Sequence, residues 1–186
     1  GWSRLSFVPQ DSLLLPWRTV LANVLLPLEL SDGGDDQDRQ KEQARAALHL
    51  VNLDGVEEKY PHQLSGGMRQ RVALARALVG EAEILLLDEP FAALDALTRS
   101  QLHLEMMRIR RQRRFTGIMV THNIFEAVFL ADRVLVMGEK PGRILGEVNI
   151  QLPSPRDLKL MGKPEFAQMV GVVQDLLEKG WRADHE

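Results

Sequence analysis

The chain has 186 residues, of which 45% are hydrophobic, 26% charged and 5% aromatic, and its formal net charge is −3. This length is enough for one domain with a sizeable core, or for one domain with an appendage. The small negative charge provides no overall basic field to attract nucleic acid. Cysteine is absent, which excludes disulfides and thiolate metal sites. No apolar run approaches the roughly 18 residues that span a bilayer, so we expect any membrane role to come through a partner.

Strands and helices alternate along the chain, as in a largely parallel α/β sheet. The predicted elements, in chain order, are a strand over 5–9, helices over 19–28, 38–51 and 68–79, a strand over 84–87, a helix over 95–114, a strand over 117–121, a helix over 123–131, strands over 133–137 and 143–148, and a helix over 164–179. The run Ile84–Leu87 is continuously apolar, which predicts a strand covered by helices on both faces. The last two strands are expected to pair as an antiparallel hairpin at a sheet edge.

Two stretches each allow two interpretations. The apolar cluster over 13–28 either belongs to the core or forms a surface that docks another apolar helix. The long helix over 95–114 ends in a run of arginines, namely Arg108, Arg110, Arg111, Arg113 and Arg114. Such a run can bind phosphate backbones, but a solvated helix end is favoured, because the dipole at a helix C-terminus attracts positive charge.

A glycine turn leads into the helix over 68–79. Its residues, Leu64-Ser-Gly-Gly-Met-Arg-Gln-Arg71, place small side chains beside the first backbone N–H groups of the helix. Those N–H groups have no partner within the helix, and together with the helix dipole they favour an anion. The sequence therefore predicts a phosphate contact at this turn.

Polar residues follow two of the predicted core strands. Asp88 and Glu89 end the first strand and His122 follows the second, and ligands of open α/β sheets lie beyond the carboxyl ends of the strands. If the two strands are neighbours, we expect Glu89 and His122 on the same rim. Asp88 is suited to hold a magnesium ion through water, Glu89 to take a proton from an attacking water, and His122 to contact a phosphate oxygen or hold the nucleophile in line. Phosphate, metal and water together indicate nucleotide hydrolysis.

Five segments, in this order, resemble the motifs of the ATP-binding cassette (ABC) transporter ATPases. They are Phe7–Gln10, which resembles the Q-loop, Leu64–Arg71 the signature, Ile84–Pro90 the Walker B strand, Ala93–Asp95 the D-loop, and Val120–His122 the switch histidine. The resemblance covers roughly residues 5–148. The run Leu14–Val20 and the tail after Pro153 are similar to the importer branch for nitrate, sulfonate, taurine or related solutes.

The resemblance implies a partial P-loop NTPase fold of the ABC ATPase type, with a mostly parallel sheet flanked by helices. The ATPase domain would cover residues 1–150, with a helical signature subdomain over about 18–80. A linker and a C-terminal helical tail would occupy 151–186. Two such subunits, in a homodimer, would enclose two ATP molecules with Mg²⁺, each bound between the phosphate loop of one subunit and the signature of the other.

The resemblance also implies roles for individual residues. Ser65, Gly66 and Gly67 would face the γ-phosphate held by the partner subunit, Gln10 would reach the metal and the water, and Asp95 would link the two sites. The candidate site residues are therefore Glu89, His122 and Gln10 as catalytic residues, Ser65, Gly66, Gly67, Gln70 and Asp95 as nucleotide-binding residues, and Asp88 and Gln10 as magnesium ligands.

The implied assembly is an importer at the cytoplasmic face of the inner membrane. The segment after Gln10 and the helical subdomain would receive a helix from a transmembrane permease subunit. A periplasmic solute-binding protein would take part indirectly, and no nucleic-acid partner is expected. The imported solute would be a small anion such as nitrate, a sulfonate or taurine.

One family motif does not occur in the sequence. The phosphate loop, G-x-x-x-x-G-K-[ST], is absent, and no aromatic residue can be identified for stacking on adenine. With Gly1 as the first residue, this predicts a piece of a longer protein that binds ATP poorly by itself and exposes a sheet edge and a core face. Two alternatives are a non-catalytic partner that lends only its signature, and a non-transport ABC ATPase that acts on DNA or ribosomes.

Overall fold

A computed structural model of the chain describes residues 5–31, 36–80, 82–138 and 142–185, with side chains as far as Gly180. The chain divides into two units, Gly1–Val120 and Thr121–Glu186. The first unit contains β1 (Leu5–Val8), α1 (Val20–Glu29), α2 (Gln37–Leu50), α3 (Gly66–Leu78), β2 (Ile84–Asp88), α4 (Ala96–Gln112) and β3 (Thr116–Val120). The second contains α5 (Ile124–Leu130), β4 (Arg133–Gly138), β5 (Arg143–Asn149) and α6 (Pro164–His185). Each strand and helix predicted from the sequence is confirmed, while the domain division at residue 150 stays a prediction.

The sheet of the first unit has three parallel strands in the order β1-β2-β3. Leu5 pairs with Ile84, and Ile84 pairs with Thr116 on its other side. Parallel neighbours need long crossovers, and helices α1 to α4 lie in the two crossovers between these strands. This confirms the predicted α/β class with a parallel sheet.

The two faces of this sheet differ in burial. Val8, Leu85 and Leu87 are buried, whereas Phe7, Ile118 and Val120 on the opposite face are 52%, 54% and 59% exposed. The prediction that Ile84–Leu87 is covered on both faces is therefore wrong. The run is apolar throughout, but in a strand alternate side chains point to opposite faces, and only one face is buried. The exposed core face expected from the sequence is present.

The helices of the first unit form a core next to the buried sheet face. Helices α1, α2 and α3 pack against one another, and α3 also packs against β1. Their contact surfaces are apolar and fully buried, and include Val20, Val24, Ala44, Leu48, Val72 and Ala75. Thr19 caps α1 as predicted, because its side chain accepts a hydrogen bond from Ala22 N at 3.3 Å.

Two of the five arginines near the end of α4 are tied to neighbouring helices. A guanidinium N–H of Arg108 donates to the Leu50 carbonyl at the end of α2, and Arg113 Nη1 donates to the Leu78 carbonyl at the end of α3, at 2.9 Å. Carbonyls in the last turn of a helix lack intrahelical partners, and a cation is favoured there. For these two residues the predicted solvated helix end is therefore wrong.

In the second unit, β4 and β5 pair antiparallel as predicted, and α6 packs against both strands. Within the described part of the chain they form a two-stranded sheet of their own, so the predicted position at the edge of a larger sheet is wrong. Alternation sends Val134, Val136 and Val148 to the buried side. Phe166, Val170 and Val173 of α6 are buried as well.

A buried arginine holds the end of α5. Arg156 Nη1 contacts the carbonyl oxygens of Val128, Phe129 and Ala131 at 3.3, 2.8 and 2.7 Å. Arg156 belongs to the stretch predicted as a linker and tail, yet its side chain is an internal part of this unit.

Over the residues that the structure covers, none of the helices combines the length and apolar character needed to cross a membrane.

Candidate functional site

The glycine turn is built around the start of α3. Ser65 is the N-cap residue, and its Oγ accepts a hydrogen bond from Met68 N at 3.2 Å. Because the serine side chain replaces a missing helical partner, α3 begins at Gly66, two residues before the predicted start. Ser65 and Gly66 are exposed, so the N-terminal end of the helix is accessible, while the phosphate contact at this turn stays a prediction.

Gly67 lies against the first turn of α4. A Cβ atom at Gly67 would stand 2.4 Å from Cγ2 of Thr98, so the close approach requires glycine. Thr98 N and Leu97 N in turn donate to Asp95 Oδ1 at 3.0 and 3.1 Å. The turn predicted to contact a nucleotide and the turn that carries Asp95 are therefore direct neighbours.

Asp95 is the N-cap of α4 and is exposed. Its hydrogen bonds, first that from the Thr98 side chain and then those from backbone N–H groups, lower the pKa of its carboxyl. Hydrogen bonds to the charged form stabilise it, so Asp95 presents a carboxylate at neutral pH.

The carboxyl end of β2 carries the two predicted carboxylates. Asp88 is the last residue of β2, is exposed and pairs with Val120 of β3. Glu89 follows with φ at 42°, and its N–H donates to the Val120 carbonyl at 2.9 Å. Left-handed backbone is disfavoured for a residue with a side chain and concentrates at functional sites. No feature of the sequence predicts this conformation.

His122 stands two residues after β3, in the second unit, and is exposed. Side-chain hydrogen bonds hold the residues on both sides of His122 in place. Thr121 Oγ1 donates to Glu126 Oε2 at 2.8 Å and accepts from Asn123 N at 3.0 Å. Asn123 also caps α5. Strands β2 and β3 are neighbours, as the prediction required, while the position of His122 relative to Glu89 stays a prediction.

Gln10 is exposed just after β1. The segment that follows it is held by two side chains, Asn23 and Arg76, for which no such role was predicted. Buried Asn23 accepts from Leu15 N at 2.8 Å and donates to the Leu15 carbonyl at 3.1 Å. Arg76 of α3 donates to the carbonyls of Ser12 and Leu13. An amide in an otherwise apolar helix is a signal that could have identified Asn23, because a buried amide must find partners.

The apolar cluster over 13–28 is partly buried and partly exposed, so neither interpretation, core or surface, describes all of it. Val20 and Val24 are fully buried, whereas the side chains of Leu13 and Trp17 are 65% and 72% exposed. The buried side chains of the second half therefore belong to the core, and the first half exposes large apolar side chains, while docking of a partner there stays a prediction.

The donors for a magnesium nucleotide are present only in part. Within the described residues, no group of three or more His, Asp or Glu side chains could hold a metal ion. Mg²⁺ commonly takes one or two carboxylates and completes its shell with waters and substrate phosphates, so Asp88 fits as one such ligand.

Gln70, a predicted nucleotide-binding residue of the same glycine turn, is buried. Its side chain is 7% exposed, and its Nε2 has no hydrogen-bond partner in the described part of the chain.

Comparison with known proteins identifies relatives for most of the chain. A family profile described as "ABC transporter" matches residues 3–92. The aliphatic sulfonates import ATP-binding protein SsuB 2 of Rhizobium johnstonii is 49% identical over 164 residues, which are 88% of this chain and 61% of the relative. SsuB 2 of Streptomyces avermitilis is 45% identical over 187 residues, with 98% of this chain and 70% of the relative covered.

A solved structure is also similar. It is the dimeric post-hydrolysis state of the ATP-binding cassette MJ0796, bound to ADP and Pi, with a TM-score of 0.70 and 32% sequence identity. The similarity covers 81% of this chain and 64% of that chain. The chain spans 55%, 61% and 58% of the length of three curated relatives that it matches.

Proposed function

The chain belongs to the ATP-binding subunits of the ABC transporters, and from this we propose that the complete protein hydrolyses ATP to drive the uptake of a small anionic solute. The observation that carries the proposal is the open N-terminus of α3, capped by Ser65, next to the turn of Asp95. Both features occur in a chain that is 45% identical, over 187 residues, to an ATP-binding protein named for aliphatic sulfonate import.

We propose a sulfonate as the solute, because two of the relatives are named for aliphatic sulfonate import. Taurine is itself an aminosulfonate and falls within this class, and nitrate is the other solute that the resemblance indicates. Selection among them is expected to lie in other subunits, since the residues in this chain that we assign to a ligand are suited to a nucleotide.

We propose that two copies of the complete protein bind each nucleotide between them. Ser65 and Gly66 lie at the exposed start of α3, where the first backbone N–H groups of a helix lack intrahelical partners and stabilise a phosphate together with the helix dipole. Gly67 keeps α3 against α4, and the Asp95 carboxylate reaches across to the second site. Gln70, which is 7% exposed and follows the same turn, is kept as a candidate nucleotide-binding residue.

The remaining candidate residues would act on water and metal. ATP with Mg²⁺ supplies the phosphoanhydride bond that is broken. Asp88 would hold the metal, Glu89 would accept a proton from the attacking water, and His122 and Gln10 would keep the water and the phosphate in position. The strained backbone of Glu89 supports this assignment, because such strain persists only where the surrounding structure holds it and is concentrated at active sites.

The complete protein is proposed to act at the cytoplasmic face of the membrane, bound to transmembrane permease subunits. The exposed side chains of Leu13 and Trp17 would contact an apolar helix of the permease. Aromatic side chains on an exposed segment are common anchors of such interfaces.

Steady-state hydrolysis by the full-length protein tests the proposal. Glu89→Gln removes the base, and we expect turnover to fall by about 10²–10⁴-fold while ATP binding is kept. Glu58→Gln changes an exposed glutamate of the same unit and serves as the matched control, with turnover near that of the wild type. Turnover in Glu89→Gln within a few-fold of the control would refute the role of Glu89. If the wild-type protein neither binds nor hydrolyses ATP by itself, the signature-lending partner becomes the better account.

A further inference from the structure

Arg76 joins α3 to the segment that follows Gln10. It lies in the last turn of α3, and its Nη2 and Nη1 atoms donate to the carbonyl oxygens of Ser12 and Leu13 at 2.8 and 2.9 Å. The guanidinium group is planar and carries several N–H donors in a fixed fork, which suits two neighbouring acceptors. The contact connects residues 63 and 64 positions apart in the sequence.

The two carbonyls lie on either side of Leu13, whose backbone is unusual. Its φ is 43°, in the left-handed region that a leucine rarely adopts. Such a conformation persists only where the surroundings hold it. The Ser12 carbonyl precedes the Leu13 nitrogen and the Leu13 carbonyl follows its Cα, so the two hydrogen bonds restrain both backbone torsions of this residue.

Arg76 is partly withdrawn from water, and this burial lowers the pKa of its guanidinium. An arginine remains charged in proteins, so the carbonyl oxygens must replace part of its lost hydration. The hydrogen bonds from Arg76 are therefore charge-assisted and stronger than those between neutral groups.

The other end of the same helix carries the glycine turn. Arg76 lies ten positions after Gly66, which at a rise of 1.5 Å per residue is about 15 Å along the axis. Val72, Ala73, Ala75 and Leu78 are buried along its length, and α3 packs against α1, α2 and β1. A helix held on several sides moves as one body rather than bending locally.

We propose that Arg76 is a positioning residue that ties the segment over 11–18 to α3, so that a movement of this segment is passed along the helix to Ser65. The inference rests on the proposed function, in which the segment meets the permease and Ser65 meets the nucleotide. The side chains of Leu13 and Trp17 stay exposed, so a partner can contact the segment while Arg76 holds its backbone.

The first test measures amide hydrogen exchange in the full-length protein without nucleotide. In Arg76→Gln we expect exchange over 11–18 to become about tenfold faster or more, while α3 and β2 keep their protection. Useful reporters are the amides of Leu15 and Arg18, which donate to Asn23 Oδ1 and to the Leu15 carbonyl. Unchanged exchange over 11–18 would overturn the proposal.

Arg113→Gln is the matched control. It removes an arginine–carbonyl hydrogen bond at the C-terminal end of the same helix, at Leu78, and should leave exchange over 11–18 as in the wild type. Equal loosening of 11–18 in both variants would show a general effect on α3 and would overturn a specific role for Arg76. If Arg76→Gln does not fold, Arg76→Lys keeps the charge and reaches one carbonyl, and we expect intermediate exchange from it.

The second test asks whether the hydrogen bonds of Arg76 transmit movement between the segment over 11–18 and the start of α3. In a Glu89→Gln background, where hydrolysis is slow, we expect ATP with Mg²⁺ to slow exchange both over 64–70 and over 11–18. Adding Arg76→Gln should keep the response at 64–70 and abolish it at 11–18. A response at both places in the double variant would refute transmission through Arg76. If the Glu89→Gln parent responds at neither place, the proposed function fails, whereas the nucleotide-free exchange still decides whether Arg76 holds the segment.

Discussion

Thr98 leaves no room for a side chain at Gly67, because its Cγ2 stands 2.4 Å from where a Cβ atom would lie. The start of α3 and the start of α4 are therefore in direct contact. Of the two turns, one is capped by Ser65 and the other by Asp95.

Replacing Gly67 with Ala should destabilise the full-length protein by roughly 1–3 kcal/mol, as expected for overpacking, and should slow ATP hydrolysis. Thr98→Ser removes Cγ2, and the other Thr98 side-chain atoms near the added Cβ lie at 3.7 and 3.8 Å, in ordinary contact. The pair Gly67→Ala with Thr98→Ser should therefore recover most of the stability in urea unfolding. Thr98→Ser alone is the control. If the double variant is no more stable than Gly67→Ala, then the backbone of glycine is required at position 67, and the close contact with Thr98 Cγ2 is not the cause.

Replacing Ser65 with Phe should abolish hydrolysis, because a large side chain at the exposed helix start would prevent two subunits from closing on a nucleotide. ATP affinity of the monomer, measured by calorimetric titration, should be nearly unchanged. Ser65→Ala separates bulk from capping, since it loses only the cap, worth about 1 kcal/mol of stability. A large loss of monomer affinity in Ser65→Phe would show that this turn contacts the nucleotide of its own subunit.

Replacing Asn23 with Ala should lower the free energy of unfolding by roughly 2–4 kcal/mol, because several backbone groups lose a buried partner. Asn23 accepts from Leu15 N and contacts the carbonyls of Leu15, Arg18 and Thr19. Gln101→Ala removes an exposed amide from α4 and should change stability by less than about 0.5 kcal/mol. Equal urea midpoints for the two variants would contradict the structural role of Asn23.

Glu105 should make stability depend on pH. Burial raises the pKa of its carboxyl above the usual 4.5, against the opposing effects of a hydrogen bond from Asn52 and the charges of Arg71 and Arg108. The folded state then binds more protons than the unfolded state between the usual pKa and the raised one, so stability falls as pH rises through this interval.

Glu105→Gln removes this titration while keeping the shape of the side chain. Relative to the variant, the wild type should lose stability as pH rises from about 4.5 upwards, as measured by urea unfolding at several pH values. Gln101→Ala, which removes an exposed side chain with no titrating group, is the control, and its difference from the wild type should not follow this trend. A wild type that gains stability relative to Glu105→Gln over the same interval would show that the ion pair with Arg71, at 3.1 Å, outweighs burial.

Local sequence signals predicted the elements of this fold well. Thr19, Ser65 and Asp95 each precede a helix and cap it, because a short polar side chain satisfies backbone groups only a few residues away. The same reasoning located the glycine turn and the carboxylates at the end of β2.

Relationships between distant residues were not predictable in this way. The bond between Arg76 and Ser12 spans 64 positions, and nothing in either residue's neighbourhood specifies the other. An apolar run shows how hydrophobic a strand is but not which neighbours cover it, and for this reason the burial of Ile84–Leu87 was predicted incorrectly. The backbone of Glu89 is a property of its tertiary setting, since a glutamate has no preference for positive φ.

Arg156 determines where the chain can be shortened. A truncation at residue 151 appears harmless from the proline-rich sequence over 152–155, yet it would remove the side chain that contacts the carbonyls of Val128, Phe129 and Ala131. The last turn of α5 would then have to find water for those oxygens or unwind. Because α5 directly follows Asn123, a trimmed protein would lose order beside His122. For expression of shorter forms, the stretch over 151–186 is best kept with the rest of the second unit.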